Sequence, residues 1–231
     1  MTAVNATLEK LKRGLIVSCQ ALEKEPMHSS FIMGRFAVAA AEGGAVGIRA
    51  NGISDITEIK KRVNLPVIGI IKKDYTDSEV YITPTKKELD ELLDADVEVI
   101  AMDATLRKRP GGADLKDLVA YIRKRSPDTA IMADIADEAD IMNAAEIGFD
   151  LISTTMRGYT TATKEIIIPD IDFIERAVKS VSVPIVAEGG IWEPYQLKKI
   201  FSRGVFAAVI GGAITRPQNI TRRFVDAISS K

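Results

Sequence analysis

Eight short apolar runs, each followed by a helix-spaced pattern, predict an α/β chain folded as a single (β/α)8 TIM barrel over residues 1–231. Two further observations agree. The runs are apolar throughout instead of alternating, as befits strands of a parallel sheet covered on both faces. The last two each end in a glycine pair, Gly189-Gly190 and Gly211-Gly212, one strand–helix unit apart. In an eight-stranded βα barrel the loops after strands seven and eight commonly bind phosphate. Glycine lets backbone N–H groups approach an anion closely. An open, doubly wound sheet is the rival, but no pair of polar edge strands is evident.

The elements follow in order. Gly14–Cys19 is the first strand, ending at Gln20, and its helix runs from about Ser30 to Ala41, stopped by Gly43-Gly44. Ala45–Arg49 is the second strand, with a helix over about Ser54–Val63. Pro66–Ile71 is the third and ends at Lys72. In the insert after it, Glu79–Thr83 alternates and is β-branched, which predicts a short extra strand. Pro84–Leu93 reads as a helix with proline in its first turn. Glu98–Asp103 is strand four; the basic loop Arg107–Gly112 leads into a helix over Asp114–Arg125. Thr129–Asp134 and Asp150–Thr155 are strands five and six, separated by a helix over Asp137–Glu146. The long loop Met156–Pro169 has the makings of a lid. A helix over Ile171–Ser180, the seventh strand ending at Glu188, a helix between Trp192 and Val205, the eighth strand and a last helix over Gln218–Ser229 complete the chain.

Bulk properties narrow the function. Hydrophobic residues make up 46% and the net charge is -1, so no nucleic-acid or membrane-surface footprint is expected. No apolar run approaches the roughly 18 residues of a membrane helix. The start, MTAVNATLEKLKRG, is polar and helix-like and does not read as a signal peptide. The one cysteine, Cys19, excludes an intramolecular disulfide and fits a cytoplasmic location.

In a barrel of this kind the active site lies at the C-terminal strand ends. Here those ends are Gln20, Arg49, Lys72, Asp103, Asp134, Thr154-Thr155, Glu188 and Gly211-Gly212. A single polar strand end usually means that the strand has reached water. Two cations and three carboxylates converging on one mouth beside a phosphate cup point instead to a small phosphorylated polyol or sugar. Other residues rank lower. His28 reads as a loop residue near the mouth, Cys19 as buried filler and Arg107–Arg109 as a solvated loop. Trp192 and Tyr195 are expected on the outer layer, and Lys73 should point away from Lys72 because strand neighbours alternate. Phe224, Val225 and Ile228 on the last helix suit packing on the barrel or a homodimer contact.

The pieces Gly14–Ala21, Pro26–Gly34, Ala45–Arg49, Gly69–Tyr75, Tyr81–Pro84, Ala101–Thr105, Met132–Asp134, Ser153–Thr155, Ala187–Gly190 and Gly211–Pro217 span nearly the whole chain. In that order they closely resemble the N-acylglucosamine-6-phosphate 2-epimerase family. The resemblance implies conversion of N-acetylmannosamine 6-phosphate to N-acetylglucosamine 6-phosphate in sialic-acid breakdown, with no required metal or organic cofactor. It places the family's catalytic pair on Lys72 and Glu188, its substrate contacts on Gln20, Arg49, Asp134 and Arg216, and its phosphate loops on Gly189-Gly190 and Gly211-Gly212.

The residue types suit that chemistry. Epimerisation at C2 removes a proton α to the open-chain aldehyde and returns it to the other face. The enolate-like intermediate needs donors near O1, and the base must be poised near neutral pH. A lysine following Val67–Ile71 is placed for desolvation and a lowered pKa. Two alternatives stay open at this stage: another phosphate-binding barrel enzyme, such as an isomerase of a different phosphosugar or an aldolase using Lys72 as a Schiff base, and a non-catalytic phosphosugar-binding or regulatory protein. So does the choice between one base and two.

Overall fold

The computed structural model describes residues 2–229. Eight parallel strands pair strictly in sequence order: β1 (Leu15–Cys19), β2 (Gly47–Asn51), β3 (Val67–Ile70), β4 (Val99–Asp103), β5 (Ala130–Asp134), β6 (Leu151–Ser153), β7 (Ile185–Glu188) and β8 (Ala207–Ile210). β8 then pairs with β1, which closes the expected barrel. Helices α1 (Ala3–Leu11), α2 (Ser30–Glu42), α3 (Ile53–Arg62), α4 (Lys86–Asp94), α5 (Leu115–Arg125), α6 (Glu138–Ile147), α7 (Ile171–Ser180) and α8 (Pro194–Phe201) come before or between the strands. Two more, the one-turn α9 (Gly212–Thr215) and α10 (Pro217–Ser229), follow β8.

Strand periodicity decides which side chains meet. Ile16, Ile68, Ile70, Val99, Ala101, Ala130, Met132, Leu151, Val186, Ala207 and Val209 pack together inside the barrel. Their strand neighbours Val17, Ile48, Val67, Ile100, Ile131 and Ile152 pack outward under the helices. Two residues on from an inward position is inward again. Lys72 follows Ile70, Asp134 follows Met132, and Glu188 follows Val186, so one parity carries all three to the mouth.

At the opposite end, α1 packs under the barrel. Its Leu11 is fully buried among the inner apolar residues, with Val4 and Leu8 beside it. A Cβ on Gly47 would come within 2.6 Å of the Leu11 side chain, so close packing there requires glycine. The sequence had marked this stretch only as polar and helix-like.

Several local expectations are corrected. Glu79–Thr83 is no strand. The chain doubles back on the end of β3 through isolated bridges, Lys72 with Ile82 and Tyr75 with Ser78. Thr83, at φ 45°, then turns away while donating its hydroxyl to Ala101 O at 2.7 Å. The helix predicted from Pro84 begins after Thr85, because Thr85 forms a capping box with Glu88. β6 stops at Ser153. Thr154 uses its own hydroxyl to bond the backbone of Glu188, accepting from N at 3.0 Å and donating to O at 2.8 Å, and the chain tightens there into a 3-10 turn. The basic loop is solvated only in part: Lys108 is exposed, but Arg109 is 3% exposed and donates to Pro84 O at 3.1 Å, and Arg107 pairs with buried Asp103 at 2.6 Å.

Candidate active site

A cavity of about 450 Å³ opens at the C-terminal ends of the strands. Of the residues picked from the sequence, Gln20, Arg49, Lys72, Glu188, Arg216 and both glycine pairs line it. Asp134 does not; it lies one layer deeper, behind Arg49. Asp103 is also off the wall, held by Arg107 and by the Thr105 hydroxyl at 2.6 Å.

Arg49 organises the floor. Its guanidinium is 1% exposed and grips Asp134 through both nitrogens, at 2.9 and 2.6 Å, while Nη1 also reaches Glu188 Oε2 at 2.9 Å. Burial works against the charge, but Asp134 and Glu188 more than offset it and raise the Arg49 pKa. Nε has no hydrogen-bond partner among the described residues. Glu188 Oε2 also accepts from Thr155 Oγ1 at 3.0 Å, whereas Oε1 has no bond to protein among the described residues. Burial pushes the Glu188 carboxyl up; Arg49 opposes this and Asp134 adds to it.

Lys72 stands opposite. β3 and β7 lie across the closed barrel from one another. The Lys72 backbone N–H donates to Asn51 Oδ1 at 2.8 Å, which fixes the strand end. Burial, followed by the facing cations Arg49 and Arg216, brings its pKa down to about 8. With the amine so tuned, roughly a tenth to a fifth of the molecules are neutral near physiological pH, far more than for a free lysine, and these are able to take a proton. Lys73, its neighbour, is exposed, as alternation requires.

The remaining wall is polar backbone and aromatic surface. Gly189 and Gly190 have φ of 105° and 68°, and a Cβ on Gly190 would meet the Ile168 backbone at 2.5 Å. Gly211 faces Ser18, and Gly212 begins α9 beneath the Trp192 ring. Gln20 donates to Ser18 Oγ at 2.8 Å and keeps a buried Oε1 that has no hydrogen-bond partner among the described residues.

Sequence reasoning missed part of this lining. Trp192 does not pack on the outer layer. Glu193 caps α8, so Trp192 precedes the helix and lines the cavity, with Arg223 over its ring at 4.7 Å; Tyr195 is exposed. Tyr81 and Tyr159 also line the cavity. The alternation of Glu79–Thr83 carried a signal for Tyr81. Tyr159 lies in the long loop after β6, whose base is fixed by Arg157 on Asp170 at 2.8 Å. His28 sits in the loop after β1, its Nδ1 3.1 Å from Ala21 O.

Comparison with known proteins bears on this arrangement. Residues 33–230 match the family described as "Putative N-acetylmannosamine-6-phosphate epimerase". Relatives carrying the 2-epimerase form of that name include one from Clostridioides difficile, 57% identical over 96% of this chain and 98% of its own length. Another, from Listeria monocytogenes, is 52% identical over 97% of this chain and 95% of its own. Among solved structures, the N-acetylmannosamine-6-phosphate 2-epimerase from Clostridium perfringens superposes with a TM-score of 0.93 at 53% identity, covering 95% of both chains. A thiamine phosphate pyrophosphorylase from Pyrococcus furiosus shares the fold alone, at 16% identity and a TM-score of 0.59 over 96% of this chain and 98% of its own. With a family match over most of its length and relatives above half identity, the chain belongs to the N-acetylmannosamine-6-phosphate epimerase family.

Proposed function

We propose that the chain interconverts N-acetylmannosamine 6-phosphate and N-acetylglucosamine 6-phosphate by proton transfer at C2. The observation that carries the reading is Lys72 and Glu188 facing one cavity from opposite strands, with the two glycine pairs on its wall. The phosphate sits against the backbone N–H groups of Gly189-Gly190 and Gly211-Gly212, with Arg216 alongside. That anchors the open-chain sugar so that C2 lies between the two proton carriers. Neutral Lys72 removes the proton from one face. Negative charge develops on O1 and is met by Arg49, already desolvated and fixed, so little reorganisation is needed. Glu188, with Oε2 tied and Oε1 free, serves the other face. Gln20 Oε1 is an unused acceptor for a sugar hydroxyl or the acyl N–H. Asp134 contributes through Arg49.

The test is H2 exchange into D2O followed by NMR, together with turnover. Lys72→Ala and Glu188→Ala should each lower kcat at least about 100-fold with the fold intact. Lys73→Ala should stay near wild type. Near-normal turnover in Lys72→Ala would overturn the assignment. A substrate adduct trapped on Lys72 by borohydride would favour aldolase chemistry instead.

The exposed Phe224, Val225 and Ile228 on α10 support a homodimer through that helix, which sedimentation velocity of wild type against Phe224→Asp tests. A cytoplasmic location fits the lone, buried, unpaired Cys19 and is checked by cell fractionation.

A further inference from the structure

Tyr81 is held at the mouth by the backbone around it. Lys73 N donates to Tyr81 O at 2.9 Å, Asp103 N to Ile82 O at 3.0 Å and Thr83 N to Ile71 O at 2.8 Å. The ends of β3 and β4 therefore fix the segment that carries it. Its ring packs on the inner apolar residues and lines the cavity.

The phenol hydroxyl has no hydrogen-bond partner among the described residues. The charged and titratable groups facing it are Asp103 at the end of β4, Asp134 at the end of β5, Arg107 in the loop after β4, Tyr159 in the loop after β6, and Arg49 from β2. Both carboxylates are already engaged, Asp103 by Arg107 and Thr105, and Asp134 by Arg49. Burial, followed by these two carboxylates, pushes the Tyr81 pKa up to about 12, against the pull of Arg107. Near neutral pH the group therefore keeps its proton and stays a donor. A neutral donor in a cavity wall, with no acceptor on the protein, is suited to fix an acceptor on a ligand.

The place of Tyr81 in the barrel selects that acceptor. The glycine cup follows β7 and β8, and the strands across the closed barrel from these are β3 and β4, whose ends carry Tyr81. A sugar 6-phosphate anchored at the cup turns its far end, C1 and C2, to that side. O1 gathers negative charge and has the Arg49 guanidinium. The hydroxyls can donate as well as accept, and Glu188 Oε1 and Gln20 Oε1 are open to them. The acyl oxygen on the C2 nitrogen is an amide carbonyl, the best neutral acceptor on the molecule, and can only accept. We propose that Tyr81 reads the acylamino group of the substrate, its hydroxyl donating to the acyl carbonyl. This rests on the proposed function and names the residue that separates an N-acyl sugar phosphate from a plain hexose 6-phosphate. A site built to hydrogen-bond one substrate group rejects the analogue that lacks it.

The test removes only the hydroxyl. Wild type and Tyr81→Phe are compared by calorimetry in binding two open-chain alditols, N-acetylglucosaminitol 6-phosphate and glucitol 6-phosphate. Neither has a carbonyl at C1, so neither is turned over. The first carries the acylamino group at C2 and the second a hydroxyl. Tyr81→Phe should bind the first about 10-fold more weakly and the second within about twofold of wild type. KM for N-acetylmannosamine 6-phosphate should rise by about the same factor as for the first alditol, with kcat within about threefold. Equal weakening of both alditols, or of neither, would overturn the inference. So would a loss confined to kcat, which would put Tyr81 at O1. A second measurement needs no variant: with the acyl carbonyl labelled with 13C, its resonance should move downfield when the first alditol binds wild type, and an unmoved resonance overturns the inference. No turnover of N-acetylmannosamine 6-phosphate by wild type would instead remove the proposed function, a failure distinct from equal weakening of the two alditols.

Discussion

Glu25 clasps Arg216 along one edge of its guanidinium, Nε donating to Oε1 at 2.6 Å and Nη2 to Oε2 at 3.2 Å. The clasp is braced, because Glu25 Oε2 also accepts from Leu22 N at 2.8 Å and Gln218 donates to Oε1 at 3.3 Å. Arg216 Nη1 is left at the cavity wall with no bond to protein among the described residues. Glu25→Ala should raise KM for N-acetylmannosamine 6-phosphate about three- to tenfold and leave kcat within about twofold, since a partly exposed pair orients more than it stabilises. Steady-state kinetics decide. An unchanged KM would leave Glu25 a mere loop brace.

The two site arginines should part company in stability. Arg49→Ala abandons two buried carboxylates, Asp134 and Glu188, and should cost roughly 3–5 kcal/mol in denaturant unfolding. Arg216→Ala removes a partner whose side chain is 24% exposed and should cost no more than about 1 kcal/mol. Equal losses would show that Arg49 is not the electrostatic keystone of the floor.

Lys72, the proposed base, carries a stability cost with a defined pH window. Its folded pKa of about 8 lies below the 10.5 of a free lysine. Between those values the unfolded chain binds the extra proton, so this residue makes stability rise with pH there. Below about pH 8 the penalty of the buried charge is fully present. Lys72→Met should therefore melt at a higher temperature than wild type at pH 7, and the gain should fade between about pH 8 and 10.5. Wild-type turnover should climb through about pH 8 as the amine loses its proton. A Tm gain that is the same at pH 7 and pH 10.5 would contradict this.

The glycines of the cup should tolerate alanine unequally. Gly190 has a left-handed φ of 68° and no room, as its added Cβ meets backbone at 2.5 and 2.6 Å. Gly211 lies at φ -113°, and an added Cβ there meets the Ser18 side chain at 3.2 Å. Gly190→Ala should lose more than about 1–2 kcal/mol and much of the affinity for the phosphate ester, and Gly211→Ala considerably less. Thermal melts and inhibition by inorganic phosphate separate the two.

Much of this was legible in the chain because it is written in a period of two. Once Ile70, Met132 and Val186 are taken as inward, Lys72, Asp134 and Glu188 follow with no further information. Depth was not legible: periodicity puts Asp134 and Glu188 on the same face, but only the packing shows that Arg49 comes between Asp134 and the cavity. Contacts made by irregular segments were equally hidden. Nothing near Glu25 announces Arg216, and nothing in Arg107–Arg109 announces that Asp103 and Pro84 O draw two of its cations inward. Trp192 was misplaced because the helix begins at Pro194 behind its cap Glu193, which leaves Trp192 outside it.

With apolar side chains filling the barrel interior and α1 seated beneath them, the cavity is a well with a packed floor. Leu11 and the inner isoleucines stopper its base, so a molecule that enters at the mouth has to leave by the mouth. The two epimers cannot pass one another inside. Each turnover must empty the well before the next begins, and each epimer necessarily acts as a competitive inhibitor of the other. Net flux is then set by whatever removes the product from solution, with nothing in the barrel to bias the direction of exit.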